Sequence, residues 1–125
     1  MAAAIPEGGG FRRYTLAMAT PAAEPIPAVL ADAIEAVARE TLGPVRPLRV
    51  LLFGSRAAGT ARRYSDYDIA LASDRPISAS LLLEAKARLD ELPIFQRIDL
   101  VDLSDASGDL RAAVETSGIV LYERP

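Results

Sequence analysis

The chain has 125 residues, half of them hydrophobic and a quarter charged, which suits one folded domain with a single hydrophobic core. It contains no cysteine and no histidine, which excludes disulfides, thiolate or imidazole metal sites and a histidine base, and leaves carboxylates to bind hard cations. Its formal net charge of -3 argues against a module held on duplex nucleic acid mainly by phosphate contacts.

The first 24 residues are rich in alanine, glycine and proline, and they predict a flexible N-terminal arm (1–24) ahead of one domain (25–125). No basic segment followed by an apolar one marks a secretion signal. No apolar stretch approaches the roughly 20 residues that span a bilayer. We therefore expect a cytoplasmic protein without membrane contact.

A helix and a buried strand are predicted next. Apolar residues follow helical spacing from Ile26 to Val37, and Gly43 and Pro44 supply a stop. Residues 48–53 form a short apolar run that ends at Gly54, as expected for a buried strand entering a tight turn.

The second strand carries two carboxylates. Tyr67, Ile69 and Leu71 alternate with Asp66, Asp68 and Ala70, which predicts one apolar and one polar face. Both aspartates should then point the same way.

The rest of the chain predicts two helices and two strands. Residues 78–92 carry a helical leucine stripe closed by Pro93, and residues 97–103 read as a strand with Asp99 and Asp102 on opposite faces. A short helix around Leu110 and Val114 and a strand at 119–122 follow. The expected fold is α/β or α+β, with a mixed sheet of about four strands flanked by helices.

The aspartate pair predicts a metal site. Two carboxylates 4 to 5 Å apart repel by about 3 to 4 kcal/mol at a surface-like dielectric, and a divalent cation such as Mg²⁺ or Mn²⁺ offsets that repulsion. Gly54 and Ser55 offer an unobstructed backbone and a hydroxyl to phosphate groups. Arginines follow that could grip the same phosphates, namely Arg56, Arg62 and Arg63.

These motifs resemble a known family. Residues 51–55, ten intervening residues, the Asp66–Asp68 pair and residues 98–103 are similar to the minimal nucleotidyltransferases of the DNA polymerase β superfamily. The resemblance covers about residues 45–122 and includes the last strand.

The resemblance implies a nucleotidyltransferase fold and an enzyme that moves a nucleoside monophosphate, commonly AMP from ATP, onto an acceptor hydroxyl. It makes Asp66, Asp68 and Asp99 the catalytic metal ligands and has Gly54 and Ser55 hold the triphosphate, with Arg56 and Arg63 as further nucleotide-binding candidates. Short members resemble the antitoxin half of a pair whose partner is a helical HEPN ribonuclease toxin. A tyrosine of that partner would then be the acceptor, in a homo- or hetero-oligomer.

Simpler interpretations exist for single residues. Gly54 and Ser55 alone fit an ordinary turn with a serine cap, and Asp66 alone suits a turn. Arg62 and Arg63 fit solvated surface arginines equally well, and Asp102 fits a solvated or capping residue.

Two other functions stay open. The chain is alternatively an antitoxin that neutralises its partner by complex formation, with idle catalytic residues, because it lacks a second substrate domain. A nucleotide-binding homo-oligomer unrelated to toxin control is the third hypothesis.

Overall fold

The computed structural model of the chain describes residues 12–13 and 25–125. A five-stranded mixed sheet is the centre of the fold, formed by β1 (Arg12–Arg13), β2 (Leu48–Phe53), β3 (Tyr67–Ala72), β4 (Ile98–Asp102) and β5 (Ile119–Arg124). The strand order is β1-β5-β2-β3-β4. Strand β2 runs antiparallel to β3 and β5, while β3 is parallel to β4 and β1 is parallel to β5. The predicted mixed sheet of about four strands is confirmed, with the two-residue β1 added at one edge.

The predicted N-terminal arm lies outside the described residues except for Arg12 and Arg13. Their backbones pair in parallel with Ile119 and Val120 of β5. This short pairing attaches part of the predicted arm to the sheet.

Helices alternate with the strands, and three of the four were predicted from the sequence. Their bounds are α1 (Ala28–Thr41), α2 (Gly54–Ala58), α3 (Ala79–Asp90) and α4 (Gly108–Ser117). Serine side chains cap two of them, because Ser78 accepts from Leu81 N at the start of α3 and Ser107 accepts from Leu110 N at the start of α4. Among the described residues, no helix is both long and apolar enough to cross a membrane.

The larger hydrophobic core lies on one face of the sheet. There α1 and α3 cover the side chains of Val50, Leu52 and Ile69, and Ile34 of α1 is 2% exposed. This arrangement follows from the apolar stripes of the two helices, which have no other surface of that size to cover.

The opposite face is also buried, which corrects the predicted polar face of β3. Ala70, on the same face as Asp68, is fully buried in a second cluster with Leu51, Val114 and Val120. Helix α4 supplies Val114 and covers this part of the face. The polar character predicted from alternation therefore holds only at the Asp68 end of the strand, which is partly exposed.

Asp102 is a buried cap. The residue is 7% exposed, and its carboxylate accepts hydrogen bonds from Ile77 N (2.9 Å) and from Ser104 N (3.0 Å). The capping role is confirmed, whereas the solvated alternative is wrong, because the segment that leads into α3 lies over this carboxylate.

Candidate active site

Three strands bring the predicted site residues to one end of the sheet. Phe53, the last residue of β2, pairs with Asp68 of β3, and Asp68 pairs with Asp99 of β4. Residues paired in register on neighbouring strands share a face, so the side chains of Asp68 and Asp99 stand beside each other. Gly54 follows Phe53 directly and lies at the same end.

The Gly54 backbone packs closely against the Asp68 carboxylate. Its φ of 75° lies in the left-handed region that glycine adopts without strain, and a Cβ built there would stand 2.2 Å from Asp68 Oδ2. The absence of a side chain therefore lets the backbone turn from β2 into α2 directly over the carboxylate. Ser55, in the first turn of α2, is half-buried.

Negative charge is concentrated around Asp68. Burial raises the pKa of the Asp68 carboxyl above its usual value, and repulsion from Asp99 and then Asp66 raises it further. Asp99 and Asp66 thus both act on the Asp68 carboxylate at this end of the sheet. Such a group of oxygen donors with excess negative charge fits a hard divalent cation.

Asp99 also lies near a cation. Its Oδ1 lies 3.7 Å from Arg97 Nη2, and both side chains are well exposed. Within the described part of the chain, no three histidine, cysteine, aspartate or glutamate side chains are close enough together to hold a metal ion as they stand. Metal binding by the three aspartates stays a prediction.

The two arginines predicted to bind nucleotide differ in their contacts. Arg56 Nη2 donates to the carbonyls of Ser65 (2.8 Å) and Arg63 (3.2 Å), and its Cζ lies 4.3 Å from the centre of the Tyr67 ring. The Arg63 side chain is exposed and lies over Tyr64, 5.4 Å from the ring centre. Arg63 can therefore reach a ligand at the surface, while Arg56 is engaged with the protein.

Sequence reasoning missed Gln96. Its Nε2 donates to the carbonyl of Arg63 at 2.9 Å, which joins the start of β4 to the loop that carries Asp66. The partners are 33 residues apart in the chain, and no local spacing signals such a contact.

Comparisons with known proteins identify the family of the chain. A family model described as polymerase beta nucleotidyltransferase matches residues 37–125. The probable protein adenylyltransferase MntA of Haemophilus influenzae is 33% identical over 75 residues, which are 60% of this chain and 66% of that protein.

Solved structures give the same result. A crystal structure of a toxin–antitoxin with AMP-PNP matches with a TM-score of 0.63 and 30% identity, over 75% of this chain and 73% of that one. A tri-AMPylated Shewanella oneidensis HEPN toxin in complex with its MNT antitoxin matches with a TM-score of 0.54 and 25% identity, over 77% and 71% of the two chains. The likeness to nucleotidyltransferases drawn from the sequence motifs is thereby confirmed, as is the fold class.

Proposed function

Because this chain belongs to the polymerase beta family of nucleotidyltransferases, we propose that it transfers AMP from ATP to a hydroxyl group of a partner protein. The partner in this proposal is a helical HEPN-type toxin, and the chain is its antitoxin. The reaction takes place in the cytoplasm, where ATP and Mg²⁺ are at hand.

One observation carries the proposal. The carboxylate of Asp68 lies beneath the Gly54 backbone and is destabilised by Asp66 and Asp99 from the neighbouring loop and strand. A purely structural turn has no need for a partly buried carboxylate that two neighbouring carboxylates repel, since burial and repulsion both disfavour its charged form when no cation is bound. A site for a divalent cation and a phosphate chain accounts for all of these residues together.

Asp66, Asp68 and Asp99 would hold the metal ions. When bound, Mg²⁺ or Mn²⁺ offsets the charge of the phosphates and of the three aspartates, and it stabilises the charge that develops during phosphoryl transfer.

The residues of the chain orient the reactants. Gly54 and Ser55 hold the triphosphate against the end of β2, and the exposed Arg63 side chain contacts its outer phosphates. Asp99, on the outer strand of the sheet, lies where an acceptor hydroxyl can approach and accepts its proton. A bond forms between the hydroxyl oxygen and the α-phosphorus, and the bond from that phosphorus to pyrophosphate breaks.

The choice of partner is supported by the relatives. Structures similar to this chain are described as toxin–antitoxin complexes, one of them with an AMPylated HEPN toxin. A tyrosine hydroxyl of such a toxin is the acceptor in this proposal. Its AMP group then blocks the toxin.

The transfer assay uses the purified chain, labelled ATP, Mg²⁺ and a HEPN partner. The double variant Asp66→Asn, Asp68→Asn should lose transfer by about 10³-fold or more, because the charge that holds the cation is gone. A double variant with the same change of charge, Asp105→Asn with Asp109→Asn, alters two exposed aspartates away from the site and should keep full activity. Transfer that survives in the first variant would remove the mechanism.

A second candidate is an antitoxin that acts by complex formation alone, because the acidic side chains of the described residues do not form a metal-binding group as they stand. In that case the Asp66, Asp68 double variant still silences the toxin in cells as well as the wild type does. Loss of silencing together with loss of transfer supports the enzyme.

A further inference from the structure

The loop between α2 and β3 carries one of the three aspartates of the site. Asp66 is the residue immediately before β3, and the loop ahead of it contains the exposed residues Arg62, Arg63 and Tyr64. Neither α2 nor the ladder of β3 includes Asp66. Its position depends on what holds this loop.

The partly buried Arg56 side chain holds the loop. A single nitrogen, Nη2, donates to the carbonyls of Ser65 and Arg63, at 2.8 and 3.2 Å. The Ser65 carbonyl belongs to the peptide group that also contains the Asp66 nitrogen, so this bond fixes the orientation of the backbone that enters Asp66. On the other side, Tyr67 N donates to Arg97 O at 2.9 Å.

The guanidinium is itself held in place. Tyr67 is 4% exposed, and its ring faces the Arg56 Cζ at 4.3 Å. Arg56 Nε is buried and has no hydrogen-bond partner among the described residues. A planar cation placed between an aromatic ring and two carbonyls has little freedom to turn toward a ligand.

We propose that Arg56 is a positioning residue, which sets Asp66 for metal binding by fixing the loop, and that it does not bind the nucleotide phosphates. The inference deepens the proposed function and rests on it for the role of Asp66. Gln96 supports the same loop from β4 through its bond to the Arg63 carbonyl. Arg63, whose side chain stays at the surface, is then left as the arginine that meets phosphate.

The test begins with trypsin, which cleaves after Arg62 and Arg63. Arg56→Ala should raise the initial rate of cleavage at these two bonds by about tenfold, because the loop loses both of its hydrogen bonds to the guanidinium. Arg56→Lys, which keeps a charged donor but not the planar fork, should fall between that variant and the wild type.

Arg111→Ala is the matched control. Arg111 Nη2 also donates to two backbone carbonyls, those of Leu103 (3.0 Å) and Ser104 (3.3 Å), in a short 3₁₀ helix beyond the other end of β4. This variant should leave cleavage after Arg62 and Arg63 unchanged. Equal acceleration in both variants would mean general loosening of the fold and would overturn the proposal.

A second measurement joins the loop to the metal site. Electron paramagnetic resonance of free Mn²⁺ gives the metal affinity without any transfer reaction, and Arg56→Ala should weaken binding by about tenfold. In the transfer assay the same variant should lower kcat and change the KM for ATP by less than about twofold. Unchanged Mn²⁺ affinity in Arg56→Ala would contradict the proposal and leave Arg56 with a structural role only. A raised KM for ATP without faster trypsin cleavage of the loop would also contradict it, and would make Arg56 a phosphate-binding residue.

The trypsin comparison needs neither metal nor nucleotide. A wild-type chain that fails to transfer AMP would therefore refute the proposed function, while cleavage of the Arg56 variants still decides whether Arg56 fixes the loop.

Discussion

Gly54 and Gly59 have almost the same φ angle but different surroundings. Their φ angles are 75° and 80°, yet a Cβ would meet the Asp68 carboxylate only at Gly54, and nothing within 4 Å at Gly59. Substitutions at these two glycines therefore separate the effect of backbone strain from the effect of displacing the Asp68 carboxylate.

We expect Gly54→Ala to lower transfer activity by about 100-fold or more, because the new methyl group must displace the Asp68 carboxylate. Gly59→Ala should cost about 1 to 2 kcal/mol of stability from its left-handed φ and keep its activity. Chemical denaturation and the transfer assay measure the two effects. Equal activity in both variants would show that the contact between Gly54 and Asp68 has no functional importance.

Asp68 should make the protein less stable as pH rises. Because its pKa is higher in the folded than in the unfolded state, the folded state binds more protons between the two pKa values. Stability is therefore lost as pH rises through that interval, and the full loss is present above the folded pKa.

Asp68→Asn should accordingly raise the Tm at pH 7 in metal-free buffer, and the gain should shrink as pH falls toward 4. Saturating Mn²⁺ at about 100 times its Kd should stabilise the wild type by about 2.7 kcal/mol and the variant much less. Thermal unfolding at several pH values, with and without Mn²⁺, checks both statements. A variant less stable than the wild type at pH 7 would show that the carboxylate is favourably paired.

Local spacing was enough to propose Gly54, Asp66 and Asp68 as site residues, because a strand, a tight turn and a second strand leave a signature within about 20 residues of sequence. It could not predict the contacts of Arg56. Proximity to Gly54 favoured a phosphate contact, whereas the bonds of its guanidinium depend on how the loop folds back over Tyr67.

At the scale of elements, α4 determines which part of the sheet face around Asp68 stays accessible. The helix buries Ala70 and Leu51 on the face that also carries Asp68, whereas Asp68 itself stays partly exposed. Alternation along β3 predicted a polar face, but it cannot show that a helix 40 residues later covers most of it. The strand bounds of β2, by contrast, follow directly from an apolar run that ends at glycine.

Asp102 joins two elements at the opposite end of β4. Its carboxylate holds Ile77 N, just before α3, and both residues are buried. Asp102→Ala should cost about 2 to 3 kcal/mol of stability, because a buried N–H loses a charged partner. Asp105→Ala, at an exposed position nearby, should change stability by less than about 0.5 kcal/mol.

Urea unfolding measures both changes. Activity at temperatures well below unfolding should remain in Asp102→Ala, since Asp102 and Asp99 lie at opposite ends of the strand. A loss of activity without loss of stability would assign Asp102 to the site.

At the scale of the whole molecule, the order of the strands creates the site. Placing β3 between β2 and β4 puts the glycine bend, Asp68 and Asp99 in a row at one end of the sheet. The individual strands were predictable from their apolar patterns, whereas their order and the pairing of Arg12–Arg13 with β5 depend on contacts between distant segments.

A crystal structure with Mn²⁺ and a non-hydrolysable ATP analogue tests the central claim most directly, because the anomalous signal of manganese locates the metal without reference to any proposed ligand. We predict a peak between the carboxylates of Asp66 and Asp68, with Asp99 turned from Arg97 toward it and the phosphates on Gly54 and Ser55. Bound nucleotide with no peak at these aspartates, or a peak elsewhere on the chain, would contradict the account.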